Sequence, residues 1–196
     1  SGANGKMNCS DIDEMQHLIE DSDIVIMQLE IPLDVVEHAV NLAVERNKKV
    51  ILNPAPAQDL PTEMLNKVYA LIPNETELQI LTGMPVSTEQ DIIRAAHHLK
   101  SQGVNKIIVT MGSQGSFLIN DREAVKIPAY KVNTVDTTAA GDAYIAAFAV
   151  EKLKGVSDRV AAEFASKVAA IVVAKEGAQS SLPTLEEVLK FQIKPH

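Results

Sequence analysis

The chain has 196 residues, 46% of them hydrophobic and 4% aromatic, and carries a formal net charge of −8. Such a chain is globular, long enough for one domain with a sizeable core of Val, Ile, Leu and Ala, or for a large part of a bigger one. The acidic balance, with no basic run and no stacked aromatic platform, argues against nucleic acid and anionic membranes as partners. The single cysteine, Cys9, excludes an intramolecular disulfide and fits a reducing compartment. No apolar run is long enough to span a bilayer and no signal peptide is present, so cytoplasm is the expected location. Residues 1–6 open in loop-like sequence without an initiator Met, as a tag remnant or a fragment would.

In chain order, Ser10 caps a first helix over 10–20, with Asp11, Asp13 and Glu14 in its first turn. Residues 23–29 form a continuous apolar run, the pattern of a strand buried on both faces, ending at Glu30. Pro32 opens a helix that puts Val35, Val36, Ala39, Val40 and Ala43 on one face and Glu37, Asn41, Glu45 and Arg46 on the other. Residues 49–52 are the next strand, and Asn53-Pro54-Ala55-Pro56 leaves it as an extended loop, because a proline restricts the residue before it. A short helix near 61–66 leads to a strand over 68–72, which ends at Pro73-Asn74. Helices follow over 75–81, stopping at Gly83, and over 88–102, stopping at Gly103. Residues 106–109 are the fourth strand and run into Thr110-Met111-Gly112-Ser113-Gln114-Gly115. Residues 116–119 and 124–127 read as a hairpin around Asn120-Asp121. The small, polar stretch 135–142 then enters a helix apolar on every side and closed by Gly155. An Ala-rich helix over 158–175 and a short one over 184–190 complete the chain.

Strands alternating with helices imply a parallel sheet with helices on both faces. Ligands of such sheets bind beyond the carboxyl ends of the strands. Glu30, Asn53, Asn74 and Thr110 each follow a strand, and right-handed crossovers place them along one edge. A carboxylate, two amides, a hydroxyl and the Gly-rich 110–115 turn then converge on the same rim as Asp142, the concave polar setting of a ligand site.

Each candidate has two readings. At the mouth of the buried helix, backbone N–H groups have no intrahelical partner, the dipole adds positive charge, and small residues let an anion approach. Asp142 is ill suited there to phosphate binding alone. It suits a base that takes a proton from a hydroxyl attacking phosphorus, and equally an acid in a first helical turn. Asn74 and Glu77 share a helix face, where Asn74 bonds a phosphate and Glu77 holds Mg²⁺ through water, or where the two form a capping box. The 110–115 turn covers a nucleotide with its backbone, or is an ordinary turn; it lacks the Gly-Lys-Ser/Thr of a Walker A loop. Asp136 binds a cation or bonds its own backbone in a turn. Residues 175–181 leave a helix C-terminus, where unpaired carbonyls suit a monovalent cation. His97 and His98, with no ligand partner at metal spacing, read as surface or packing residues.

Taken together these residues resemble the ribokinase/phosphofructokinase-B family of carbohydrate kinases. Asp136-Thr137-Thr138-Ala139-Ala140-Gly141-Asp142 is similar to the family signature D-T-x-G/A-A-G-D, and Asn74-Glu75-Thr76-Glu77 to its N-x-x-E motif. Gln28-Leu29-Glu30, Asn53-Pro54-Ala55-Pro56-Ala57, Thr110-x-Gly112-Ser113-x-Gly115 and Gly177-Ala178-Gln179-Ser180-Ser181 resemble further family stretches in the same order. The resemblance covers essentially the whole chain. It implies a doubly wound, three-layer α/β/α fold with a mostly parallel sheet, present in part. It also implies ATP-dependent phosphorylation of the 5-hydroxyl of D-ribose, with Mg²⁺ and K⁺ as cofactors.

On this resemblance Asp142 would be the general base, in contact with the sugar. The N–H groups of Ala139, Ala140 and Gly141 would form an anion hole for the γ-phosphate, and Glu30 would bond sugar hydroxyls. ATP would lie by Asn74, Glu77, Thr110, Met111, Gly112, Ser113, Gln114, Gly115, Gly141 and Ser166, with Glu77 organising Mg²⁺ indirectly. The K⁺ ion would take the side chains of Asp136 and Ser181 and the carbonyls of Thr138, Val172, Lys175 and Gly177. Position 139 is Ala where many family members have Gly, and Ser166 stands where members often have His or Asn.

Family members also carry an N-terminal region with sugar-binding Asp, Gly and Asn residues and a small β-lid that covers the sugar and pairs subunits. None of it is found in this sequence. The resemblance therefore implies a single partial domain over 1–196, the C-terminal portion of a homodimeric enzyme. Alone it is expected to bind ATP weakly, to phosphorylate ribose at no meaningful rate, and to expose apolar surface where the missing strands belong. Two other readings stay open. One is a sister sugar or nucleoside kinase. The other is a non-catalytic nucleotide-binding domain, against which Asp142 argues, since a pure binder gains nothing from an anion beside the γ-phosphate.

Overall fold

A computed structural model describes residues 2–192 of the chain. The strands β1 (Ile24–Met27), β2 (Lys49–Leu52), β3 (Ala70–Leu71), β4 (Ile107–Thr110), β5 (Ser116–Ile119) and β6 (Ala124–Ile127) are hydrogen bonded in that order in one sheet. β1 to β4 run parallel, with Ile24 opposite Lys49, Ile51 opposite Ala70 and Leu71 opposite Ile107. Parallel neighbours need a crossover between each pair, and helices supply it. The result is the mostly parallel α/β class expected, with flanking helices. The chain divides into two compact units, one reaching Val109 and including Ile119–Glu123, the other made of Thr110–Leu118 and the residues from Ala124 onward. Among the described residues no helix is long and apolar enough to cross a membrane.

In the first unit α1 (Cys9–Glu14) and α2 (Gln16–Glu20) precede β1, and α3 (Leu33–Glu45) joins β1 to β2. α4 (Thr62–Leu65) precedes β3, and α5 (Glu75–Thr82) and α6 (Glu89–Ser101) lead to β4. Pro32 stands at the N-cap of α3 with φ −53°, where a proline's missing N–H costs nothing. Val35, Val36, Val40 and Ala43 of that helix are fully buried, as their spacing requires, and so are Val50, Ile51 and Leu52 of β2. Cutting a side chain such as Leu52 to Ala would cost about 2–5 kcal/mol in lost transfer energy and residual void. α6 starts in a capping box between Thr88 and Asp91, and α5 stops at Gly83 with φ +64°.

Three expectations are corrected here. The helix expected over 10–20 is two helices, broken at Met15 and capped by Asn8 rather than Ser10. Beyond Ile12, Met15 and Leu18 face solvent at 38% and 58% exposed, while Ile19 packs, partly buried, against the cluster of Ile12, Val35, Ala39 and Leu42. β1 is not buried on both faces: it ends the sheet, and Ile26 is 44% exposed. β3 is shorter than 68–72, although Tyr69 N–H still donates to Val50 O at 2.7 Å and Ile72 N–H to Leu52 O at 2.9 Å.

The second unit holds most of β5, then β6, α7 (Ala140–Leu153), α8 (Asp158–Val173) and α9 (Leu185–Lys190). α7 and α8 pack along each other, and small residues such as Ala143, Ala147, Ala161, Ala162 and Ala165 line their buried sides. The apolar character of α7 overstates its burial. Phe148 is sealed, but Val150 and Leu153 are each 51% exposed, because a helix on the surface of a unit keeps one side towards solvent.

Candidate functional site

In the first unit, the polar residues that follow β1, β2 and β3 are hydrogen bonded to one another. Gln28 Nε2 donates to Asn53 Oδ1 at 3.1 Å. Asn53 Nδ2 donates to Ile72 O at 2.9 Å and reaches Glu77 Oε2 at 3.4 Å. Glu77 Oε2 accepts from Asn74 N–H at 2.8 Å and Oε1 from Asn74 Nδ2 at 2.8 Å, while Glu77 N–H donates to Asn74 Oδ1 at 2.8 Å. The capping box of α5 is therefore complete, and it draws in Asn53 from a neighbouring strand end. A carboxylate has about four acceptor positions. Three are engaged in Glu77, which leaves one for a water on a divalent cation.

Glu30 is exposed and follows Leu29, whose N–H donates to Ala55 O at 2.8 Å. It lines a cleft of about 930 Å³ together with Asn4, Gly5, Ala57 and Gln58. A cleft of this size suits a small-molecule ligand.

In the second unit, the 110–115 turn closes on itself. Met111 N–H donates to Gly115 O at 2.8 Å and Gln114 N–H to Met111 O at 3.0 Å. Gly115 has φ +95°, and a Cβ there would lie 2.0 Å from Ile127 O, so the fold itself demands glycine. A Cβ at Gly112 would meet nothing within 4 Å, and Gly112, Ser113 and Gln114 are exposed.

The mouth of α7 is built from backbone. Side-chain oxygens cap α1, α5, α6, α8 and α9, whereas α2, α3, α4 and α7 have no side-chain cap; the N-cap of α7 is Ala139, which has no side-chain oxygen to offer and adopts the left-handed φ +61°, ψ +4°. That left-handed backbone costs an alanine on the order of 1 kcal/mol relative to a relaxed position. Ala140 N–H makes a long 3.3 Å bond to Thr137 O. Gly141 lies outside the positive-φ region, and a Cβ on it would meet nothing within 4 Å. Among the described residues neither strain nor packing calls for glycine there, although glycine in a helix costs about 1 kcal/mol against alanine. Asp142 stands exposed in the same first turn.

Asp136 holds this mouth to the end of α8. Its Oδ1 accepts from Thr138 N–H at 2.9 Å and Thr138 Oγ1 at 2.7 Å, and its Oδ2 from Gly177 N–H at 3.0 Å. The Thr138 hydroxyl first, then the two N–H groups, hold its carboxyl below the usual carboxylate range against a smaller opposing effect of burial. The turn reading of Asp136 is thus made, with a long-range link added. Ser181 is fully buried and donates to Ala178 O at 2.6 Å, which keeps its oxygen lone pairs available. Val172 O already accepts from Ala174 N–H and from Lys175 N–H, the latter at 3.0 Å. An oxygen-only donor set of Asp136, Ser181 and loop carbonyls fits a hard cation.

Of the other predicted residues, Ser166 is 6% exposed and its hydroxyl donates to Pro128 O at 2.9 Å, so it fixes the segment after β6 to α8. His97 and His98 are both exposed on α6.

The chain matches the pfkB family carbohydrate kinase description over residues 3–185. Ribokinase of Staphylococcus aureus is 39% identical over 189 residues, which cover 95% of this chain and 62% of that protein. Deoxyribokinase of Salmonella typhi is 40% identical over 191 residues, 97% of this chain and 62% of that protein. The structure of Arabidopsis thaliana ribokinase complexed with ribose and ATP matches with a TM-score of 0.85 at 35% identity, covering 91% of this chain and 58% of that one. The chain thus spans about 62% of the length of these curated relatives. With the family description matched along most of its length, the chain belongs to the pfkB family of carbohydrate kinases.

Proposed function

We propose that this chain carries the ATP-handling and proton-accepting part of a ribokinase, which transfers the γ-phosphoryl group of ATP to the 5-hydroxyl of D-ribose. The observation that carries this reading is the mouth of α7: no side-chain cap, a glycine at 141 that neither strain nor packing among the described residues requires, and a carboxylate in the same turn. The N–H groups of Ala139, Ala140 and Gly141 donate to γ-phosphate oxygens, with the helix dipole in support. Asp142 accepts the proton of the attacking hydroxyl. The new O–P bond forms as the bond from the γ-phosphorus to the β–γ bridging oxygen breaks, and ADP leaves.

The 110–115 turn covers the nucleotide, Asn74 is assigned a phosphate contact and Glu30 the sugar hydroxyls. Glu77 would hold Mg²⁺ through water, and Asp136, Ser181 and the 172–177 carbonyls would hold K⁺; such ions, when bound, offset phosphate charge. The full-length enzyme is read as a cytoplasmic homodimer, and this span alone as a weak ATP binder without useful turnover. The ribokinase relative from Arabidopsis thaliana, solved with ribose and ATP, supports this choice of substrates. Deoxyribose is the second acceptor to consider, because a deoxyribokinase is as similar as a ribokinase, at 40% against 39% identity.

The test is a sugar panel. The full-length polypeptide, with Mg²⁺ and with or without K⁺, should release ADP in the presence of ribose. Turnover confined to deoxyribose would shift the acceptor. Ribose turnover that survives Asp142→Asn would remove Asp142 as the base.

A further inference from the structure

Two segments of the second unit that the proposed function assigns to ATP are joined by one buried hydrogen bond. Ser116 directly follows Gly115, the last residue of the 110–115 turn, and Tyr144 lies two residues beyond Asp142 on α7. Ser116 Oγ and Tyr144 Oη are 2.8 Å apart. Ser116 has no exposed surface and Tyr144 only 4%. Burial pushes the Tyr144 phenol well above its ordinary value, with the Ser116 bond opposing in part, so the hydroxyl keeps its proton at any working pH. Burying two hydroxyls is costly unless they satisfy each other, whereas Ala and Phe would fill nearly the same space without that demand. A hydrogen bond tolerates only small changes in length before it weakens. The pair therefore fixes where β5 begins relative to the first turns of α7.

We propose that Ser116 and Tyr144 are a positioning pair that sets the separation between the 110–115 turn and the mouth of α7, so that one ATP molecule engages both. The inference rests on the proposed function and deepens it. Neither side chain touches the nucleotide. The adenosine end uses the turn, and the γ-phosphate end uses the helix mouth. A ligand that spans two subsites gains from the second only when their spacing matches its own length. Loss of the tie should therefore weaken the joined ligand while sparing its separate halves.

The test is made on the chain itself, with ATP, adenosine and tripolyphosphate as probes in ligand-detected NMR titrations. Tyr144→Phe and Ser116→Ala each strand one buried hydroxyl and should lower the thermal midpoint. The double variant strands none and should recover the midpoint. In all three variants ATP affinity should fall roughly tenfold, while adenosine and tripolyphosphate stay within about twofold of wild type. A double variant with wild-type ATP affinity would overturn the pairing role and leave the proposed function standing. Equal losses for all three probes would overturn it as well, since that marks general loosening. If the wild-type chain binds no ATP, the proposed function fails first and this inference with it.

Discussion

The two units handle their candidate residues in opposite ways. In the first, side chains answer side chains: Gln28, Asn53, Asn74 and Glu77 are linked to one another by hydrogen bonds, three of them to the Glu77 carboxylate. In the second, the candidate residues at Gly112, Ala139, Ala140 and Gly141 present mostly main chain, because their side chains are small or absent. A cluster that satisfies itself is rigid and also stabilises the unit that holds it. A backbone mouth without a side-chain cap gives less to the fold, and Ala140 N–H makes only a long 3.3 Å bond there, to Thr137 O. Removing a side chain from the first should therefore be felt in stability, and adding one to the second should be felt in binding.

The largest expected effect separates chemistry from both. Asp142→Asn in the full-length enzyme should lower kcat by about 10²–10⁴-fold, the usual worth of a positioned base, with ATP affinity retained. A steady-state assay beside a binding titration reads both numbers. Gly115→Ala should be the most damaging change to the fold of the second unit, at about 3 kcal/mol or more in a urea melt, because its Cβ would sit 2.0 Å from Ile127 O. In the first unit, Glu77→Ala breaks the α5 capping box and removes one contact of Asn53, and about 1–2 kcal/mol of stability should go with it. An unchanged melt would show that this cluster serves something other than the fold.

Gly141→Ala sharpens the contrast most, since its two effects have opposite signs. Alanine is the better helix former, so stability should rise by up to about 1 kcal/mol. The new methyl would stand where a phosphate oxygen approaches, so ATP affinity should fall. A variant that is both destabilised and fully competent for ATP would reverse the assignment of the mouth.

The smallest effect is an acid titration. The Asp136 carboxyl is held below its ordinary value, so its contribution is present above the unfolded value, near 3.9, and is lost as pH falls through the lower folded one. The amide shifts of Thr138 and Gly177 should move together with a midpoint below about 3.9, and Asp136→Asn should abolish that step. A midpoint at or above the ordinary value would contradict the hydrogen bonding described.

Where local chemistry decides the structure, it was legible in the sequence. α3, α5, α6 and α9 carry their apolar spacing and their cap residues in the open, at Pro32, Asn74, Thr88 and Thr184. The misreadings have tertiary causes. Asn8 and Ser10 are both good caps, and only the packing of Ile12 against α3 decides between them. The apolar run of β1 predicts burial, but burial needs a neighbour, and β2 is the one strand beside it in the described sheet. In the candidate site, Asn74 and Glu77 stood out because their spacing is local. The bond from Asn53 to Glu77 spans 24 residues and that from Ser116 to Tyr144 spans 28, and no periodicity carries such distances. Ala139 gave no hint of left-handed backbone, because alanine rarely adopts it.

The link from Asp136 to Gly177 has a consequence for how the second unit opens and closes. It joins residues 41 apart, and beside it Val135 N–H donates to Val173 O at 2.7 Å. Together these bonds clasp the base of the α7–α8 helical hairpin, whose two helices pack more extensively on each other than α8 does on β6 or α9. Elements of low sequence separation close quickly and open as cooperative blocks. Native-state hydrogen exchange should find the amides of α7 and α8 opening in a single step, with the residues around Asp142 released only when the whole hairpin lets go. The turn that holds Asp142 then inherits the lifetime of a helix pair rather than that of a surface loop.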